Sequence, residues 1–329
     1  MNSDRRQTSI APPPSLLAAD DVLDDLIRWQ SAGLRTALVS LVAVEGASPR
    51  PLGAQMAIAE NGLTAGYLSG GCIEQSVAEE ARRAIAQGEN RLIRYGKGSA
   101  YFDIKLPCGS GLDLYFDQAL ASGTVAAMAE RRRERQPFVH KTNLHTGAST
   151  ILSFDGQRTT RLTDGVFHRI HLPLPRVVLV GGGPAFTAIA QLLSAAGFEL
   201  DIATPDAIAR TALEQCGLSA RGLTDPRSAE FSSLDAWTAA VLAFHEHDWE
   251  TPVLAEILRS PCFYVGAMGG QQAHANRLAQ LTEMGVPAEL QSRIRSPIGL
   301  IPGAKSRSTL AVGILAELVA QAKAAGILA

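Results

Sequence analysis

The sequence predicts an α/β protein in two parts: an N-terminal α+β domain followed by a Rossmann-like domain with a doubly wound parallel sheet. Three observations predict it. From Arg176 onward, apolar strand-like runs alternate with helical patterns, and Gly181-Gly182-Gly183 joins the first pair. Before that, short strand-like runs crowd around turn residues, with Asn61-Gly62 as the strongest hairpin signal. Between the two, His171-Leu172-Pro173-Leu174-Pro175 changes the composition and reads as a linker. The predicted boundaries are a loose tail over 1–14, a first domain over 15–170, a linker over 171–175 and a second domain over 176–329.

The elements follow in order. Leu16 to Gln30 places Leu17, Val22, Leu23, Leu26, Ile27 and Trp29 on the apolar face of an amphipathic helix, and Gly33 follows. Thr36 to Val44 is an apolar, β-branched strand. A turn-rich loop over Glu45–Gly53 follows, then the hairpin strands Gln55–Glu60 and Leu63–Leu68. The hairpin delivers the chain into Ser69-Gly70-Gly71-Cys72-Ile73-Glu74. Ile73, Val77, Ala81 and Ala84/Ile85 then recur at helix spacing, and Gly88 is a fitting stop. Strands are predicted near Arg91–Tyr95 and Leu112–Phe116, a helix over 119–135, and short strands with glycine turns from Phe138 to about Thr163. In the second part, strands fall at Arg176–Val180, Phe198–Ala203, Trp237–Phe244 and Cys262–Val265. A helix to Ala196 follows the first strand, and a long helix runs from about Ser306 to the C-terminus.

The 329 residues make about two domains on a ~150-residue prior. A hydrophobic share of 46% with 19% charged residues is the composition of a soluble globular chain. Net charge is −2, so nothing points to nucleic acid or an anionic membrane surface. The basic run Arg131–Arg135 closes a helix, where cations suit the macrodipole. No apolar run approaches the ~18–20 residues of a membrane span. Met1 to Pro14 lacks the apolar segment of a secretory signal. Cys72, Cys108, Cys216 and Cys262 form no CxxC pair and fit no zinc module, so the chain reads as reduced and cytoplasmic.

Candidate chemistry gathers on glycine-rich turns. Cys72 is expected in a first helical turn with Glu74 at its third position. Outward N–H groups and a positive dipole end bind anions there and draw a thiol toward its thiolate. Ser48-Pro49-Arg50 offers a cation on a stiff loop, and Cys108-Gly109-Ser110-Gly111 a second thiol. Two thiols beside an arginine suit a soft metal or a sulfur-bearing anion; disulfide redox chemistry is the alternative. In the second domain, Gly181 and Gly183 open like a dinucleotide site, but Phe186 stands at the third glycine. Thr204 stands at the expected acid, and Asp206 is the nearest carboxylate. Gly266-Ala267-Met268-Gly269-Gly270 with Arg277, and the stretch from Arg295 through Gly299 to Lys305, offer N–H groups and cations to a phosphate or oxyanion. They share the crevice at the carboxyl ends of the strands. His245-Glu246-His247-Asp248 is the one histidine cluster. His245 is expected in a polar site role, since adjacent-but-one histidines diverge on a strand or helix and do not readily share a zinc ion.

Taken together, these residues are more specific than any one of them. Gly46 to Met56, Asn61-Gly62, Gly66-Tyr67-Leu68-Ser69-Gly70-Gly71-Cys72-Ile73-Glu74 and Leu106-Pro107-Cys108-Gly109 resemble the XdhC/CoxI family, accessory factors of xanthine dehydrogenase and related molybdenum hydroxylases. Gly181-x-Gly183, His245, Tyr264-Val265-Gly266, Pro297-Ile298-Gly299-Leu300 and Gly303-Ala304-Lys305 are similar to that family's Rossmann domain. The resemblance implies a non-catalytic factor that binds the molybdenum cofactor, as molybdopterin or its dinucleotide. It would hold the cofactor during sulfuration by a cysteine desulfurase and deliver it to an apo molybdenum hydroxylase. A homodimer is implied too. The binding residues carried over are Ser48, Arg50, Ser69, Gly70, Gly71, Cys72, Glu74, Cys108, Gly181, Gly183, His245, Gly266, Gly269, Gly299 and Lys305, with Cys72 toward molybdenum. Two alternatives stand beside it: an NAD(P)-dependent oxidoreductase using the Rossmann domain, and a sulfurtransferase relaying persulfide through Cys72.

Overall fold

The computed structural model describes residues 21–99, 109–157, 159–226, 231, 234–244 and 249–328. The tail over 1–14 and the start of the first predicted helix lie outside the described residues.

Helix α1 (Leu23–Ser31) leads into strand β1 (Thr36–Glu45). Strands β2 (Gln55–Ala59) and β3 (Thr64–Gly66) form the hairpin around Asn61-Gly62, with Ala57 opposite Ala65. Helix α2 (Glu74–Gln87), strands β4 (Arg91–Gly96) and β5 (Gly111–Asp117) and helix α3 (Ser122–Arg133) follow. The five strands lie in the order β3-β2-β1-β5-β4, antiparallel throughout. The β1 run is apolar on both faces because both faces are covered. Ala37, Val39 and Leu41 meet Val77, Ala81, Ala84 and Ile85 of α2. Leu38, on the other face, meets Leu26 and Trp29 of α1 and Val125 and Met128 of α3. Each larger aliphatic side chain buried this way contributes roughly 1.5–3 kcal/mol. The helix predicted over 119–135 begins only at Ser122, because the Asp117 carboxylate takes the Ala119 N–H at 3.1 Å into a turn.

A second antiparallel sheet, in the order β7-β6-β9-β8, is built from β6 (Phe138–Asn143), β7 (Ser149–Ser153), β8 (Arg161–Thr163) and β9 (Val166–His171). Phe167 packs it onto Val42 and Tyr115, and Arg169 donates to the Gly53 carbonyl at 2.7 Å.

Beyond residues 172–175 strands and helices alternate: β10 (Arg176–Gly181), α4 (Gly183–Ala195), β11 (Glu199–Thr204), α5 (Ala207–Gln215), β12 (Arg221–Gly222), β13 (Thr238–Ala243), α6 (Glu250–Leu258), β14 (Tyr264–Ala267), α7 (Gln271–Glu283), α8 (Ala288–Gln291), β15 (Ile294–Arg295) and α9 (Arg307–Ala324). The parallel sheet runs β12-β11-β10-β13-β14-β15, the doubly wound order with its switch point between β10 and β13. Phe186 is fully buried among Val177, Leu179 and Ile189. A phenyl ring thus fills the helix–sheet gap that a glycine closes in the dinucleotide fingerprint.

The two halves meet at the amino ends of the parallel strands. Arg135, just past α3 and at φ 53°, donates to Asp235 at 2.7 Å, to Glu199 at 2.7 Å and to the Leu174 carbonyl at 3.0 Å. Phe154 packs edge-on against Trp237. The parallel strands run away from this junction. Among the described residues, no helix is long and apolar enough to cross a membrane.

Candidate functional site

The antiparallel pairings fix which loops share an end of the first sheet. Glu45 lies opposite Gly111, Gly96 opposite Gly111, and Met56 opposite Gly66. The connections over 46–54, 67–73 and 97–110 therefore leave from the same end. The Ser110 hydroxyl donates to the Ala47 carbonyl and ties two of them together. Ser48, Arg50, Ser69, Gly70, Gly71 and Cys72 are brought to this end; Cys108 lies outside the described residues.

The turn ahead of α2 is organised by Glu74. Its carboxylate accepts the backbone N–H groups of Ser69 (2.7 Å), Gly71 (2.9 Å), Leu68 (3.0 Å), Ile73 (3.2 Å) and Gly70 (3.3 Å). The Ser69 hydroxyl adds contacts of 2.8 and 3.0 Å to the two oxygens. Burial pushes the Glu74 carboxyl up, but the Ser69 and Leu68 donors outweigh it and hold the pKa at about 2. Gly70 and Gly71 stand at φ 108° and 112°, a region that L side chains rarely adopt, with open space where a Cβ would be. The helix begins at Glu74 behind an Ile73 cap, so Glu74 is its first residue, not its third. Cys72 precedes the cap, outside the first turn. Its N–H is taken by the Ser69 hydroxyl at 3.1 Å, and the residue is exposed as a free cysteine. The expected open anion site at Gly70-Gly71 is thus occupied by the chain's own carboxylate.

Arg50 is braced rather than loose. Its guanidinium carbon stands 4.2 Å from the Tyr67 ring centroid, and Nη1 donates to the Tyr67 hydroxyl at 3.0 Å. The Ser48 hydroxyl accepts the Arg50 N–H at 3.2 Å, which sets the loop's bend. In the sequence Tyr67 is legible only as part of a motif. Its signal as a partner for Arg50 is the hairpin register, which brings Gly66 to the end of the sheet where the 46–54 loop returns.

The second domain gathers another set at the carboxyl edge of its sheet. Gly181 ends β10, and any Cβ there would land on the Ala243 carbonyl; the glycine lets β10 and β13 approach. The Gly183 N–H at the start of α4 is taken by Asp206 at 3.0 Å, and Asp206 also caps α5 through Ile208 (2.9 Å) and Ala209 (3.0 Å). The Ala209 donor first, then those of Gly183 and Ile208, hold the Asp206 carboxyl below its ordinary range against the effect of burial. Gly266 lies beneath Tyr264 and Ile298, and Gly299 against the Gly313 backbone. The Gly299 N–H donates to Glu317. Gly269 packs on Ala273 and Arg277, and Lys305 is exposed. Arg277, expected to face a phosphate, is 2% exposed and bonded to Glu250 at 2.9 and 3.1 Å. His245 and its neighbours through Asp248 lie outside the described residues. Among the described residues, no group of three or more His, Cys, Asp and Glu is placed to hold a metal ion.

Comparison with known proteins gives a consistent result. Residues 177–318 match the XdhC Rossmann domain, and residues 29–96 match the XdhC and CoxI family. The chain is 32% identical over 309 residues to the molybdenum cofactor insertion chaperone PaoD of Escherichia coli, covering 93% of this chain and 90% of PaoD. It is 24% identical over 336 residues to a probable xanthine dehydrogenase subunit of Bacillus subtilis, covering 91% and 96% of the two chains. A crystal structure described as a xanthine dehydrogenase from Bacillus halodurans shares the fold at a TM-score of 0.73 and 18% identity, covering 94% of this chain and 96% of that one.

Proposed function

The chain belongs to the XdhC and CoxI family, and on that footing we propose that it is a molybdenum cofactor insertion chaperone. It binds the cofactor without catalysing a reaction of its own, holds it while a cysteine desulfurase supplies sulfur, and passes it to an apo molybdenum hydroxylase of the xanthine dehydrogenase type. The similarity to PaoD across nearly the whole chain supports the class.

The observation that carries the reading is the exposed Cys72 thiol on a turn that shares its sheet end with Arg50. When bound, the cofactor supplies a dithiolene-held oxo-molybdenum centre and a phosphate. Cys72 would offer that centre a sulfur ligand, one of the soft donors among side chains. Arg50 offers an oxyanion a guanidinium already ordered by Tyr67, so little side-chain entropy is lost on binding. Gly70 and Gly71 carry no side chains and leave the approach to Cys72 clear. The N–H groups of the turn have no such role, because Glu74 holds them.

Cys72→Ala tests the assignment. The purified variant should retain less cofactor by pterin fluorescence and metal analysis, and should activate the apo hydroxylase more weakly. Retention and activation equal to wild type would remove Cys72 from the role. Its exposure also suits a persulfide relay. A persulfide on Cys72 after incubation with a cysteine desulfurase, seen by mass spectrometry, would favour that second reading.

A further inference from the structure

We propose that Glu74 is the resident anion of the 68–73 turn and the positioning residue for Cys72. The proposal rests on the reading that Cys72 faces the ligand, and it says how the thiol comes to be presented.

Five backbone N–H groups and one hydroxyl converge on a single carboxylate, from Leu68, Ser69, Gly70, Gly71 and Ile73. An ionised carboxylate accepts at about four lone-pair sites, so Glu74 is saturated by donors from its own loop. A phosphate at the same N–H groups would have to expel Glu74 and leave that carboxylate without its donors. The incoming anion would make bonds of the same charge-assisted kind, so it gains little over Glu74 and also meets the negative charge of the displaced carboxylate. The turn therefore presents its outward face, not its N–H groups, to a ligand.

The same bonds determine where Cys72 points. Ser69 accepts the Cys72 N–H at 3.1 Å while donating to Glu74 at 2.8 Å. On the other side, the Ile73 N–H goes to Glu74 at 3.2 Å. Cys72 is thus held between two residues anchored on one anion. Its backbone cannot turn inward without breaking them, and its side chain is left exposed. Gly70 and Gly71 at positive φ are what allow successive N–H groups to point to one centre.

The test uses the full-length protein without any cofactor. Amide hydrogen exchange over 69–73 and the rate of Cys72 alkylation by iodoacetamide at one fixed pH are compared in wild type, Glu74→Ala and Glu74→Gln. Losing charge-assisted hydrogen bonds should speed exchange over 69–73 by about tenfold or more in Glu74→Ala and move the Cys72 alkylation rate at least about twofold away from wild type. Added formate, a free carboxylate small enough to replace the missing one, should restore protection and the wild-type alkylation rate. Chloride at equal ionic strength should restore neither. If Glu74→Ala does not fold, Glu74→Gln is read alone, because it keeps the shape, loses the charge and turns N–H donors toward N–H donors; faster exchange there supports the proposal. Wild-type exchange or a wild-type Cys72 alkylation rate in a folded variant, or no response of Glu74→Ala to formate, would overturn it. Cofactor retention by Cys72→Ala is measured separately, so either reading can fail without the other.

Discussion

A single Arg277 nitrogen, Nη2, donates to both oxygens of Glu250, at 2.9 and 3.1 Å, and each side chain is 1% exposed. The same nitrogen reaches the Met268 carbonyl at 2.6 Å, and Nη1 reaches the Ser296 hydroxyl at 3.2 Å. One cation thereby ties the loops after β14 and β15 to the start of α6. Glu250→Gln would leave the guanidinium buried beside a neutral amide. The expected cost is about 3–5 kcal/mol, the range for breaking a buried pair from one side. Urea unfolding of the variant checks it, and a loss below about 1 kcal/mol would contradict the pairing as a stabilising element. Replacing both residues by apolar side chains of similar volume should cost less than Glu250→Gln alone, because no charge is then left without its partner.

The glycines separate in the same way, by what surrounds them. At Gly181 an added Cβ meets the Ala243 backbone, which cannot move without parting β10 from β13. At Gly70 the space is open and only the positive φ opposes a side chain, a penalty of roughly 1–3 kcal/mol. Gly181→Ala should therefore destabilise by more than Gly70→Ala. Thermal unfolding of the two variants side by side checks this, and equal shifts would refute it.

What was legible in the sequence follows the range of the causes. The hairpin at Asn61-Gly62 and the spacing of Val77, Ala81, Ala84 and Ile85 are local patterns, and both elements form where those patterns place them. The strand–glycine–helix alternation likewise gave the parallel sheet. The clustering of Ser48, Arg50 and Cys72 at one sheet end needed the register of β1, β2 and β3, which no single stretch encodes. The partners of the charged groups were least legible. Glu74 reads as an ordinary helix-start acid until the positive-φ backbone of Gly70 and Gly71 turns the N–H groups toward it. Arg277 reads as a phosphate ligand until Glu250, 27 residues away and on another helix, is seen to face it.

Asp117 gives the first domain a defined pH response. Burial pushes its carboxyl up to about 6, against the Ala119 and Asn90 hydrogen bonds that pull it down. The folded chain then holds more protons than the unfolded chain between about pH 4 and 6, so this residue's contribution falls as pH rises through that window. Asp117→Asn should match wild type near pH 4 and gain on the order of 2 kcal/mol above pH 6. His140 works the other way: burial first, then Arg169, lower it to about 4, so its contribution rises with pH between about 4 and 6.5. The two partly offset in the wild-type profile, so the informative measurement is the variant-minus-wild-type stability at each pH. A difference independent of pH would exclude Asp117 as the titrating group.

Arg135 sets how the two halves stand against each other. It bonds Asp235 and Glu199 in the second domain and the Leu174 carbonyl in the connection, and its own side chain is 10% exposed. It does so from φ 53°, a conformation that costs a residue with a Cβ roughly 1–2 kcal/mol. The backbone penalty and the ion pairs can be separated by two substitutions. Arg135→Ala loses the pairs and keeps the penalty; Arg135→Gly loses the pairs and removes it. Both should expose residues 172–175 to limited proteolysis faster than wild type, because the connection loses its side-chain clamp. In thermal unfolding Arg135→Gly should be the more stable of the two by about 1 kcal/mol. An alanine variant as stable as the glycine variant would mean that the strained backbone relaxes once the guanidinium is gone. The positive φ would then be a consequence of the clamp and not a fixed feature of the turn after α3.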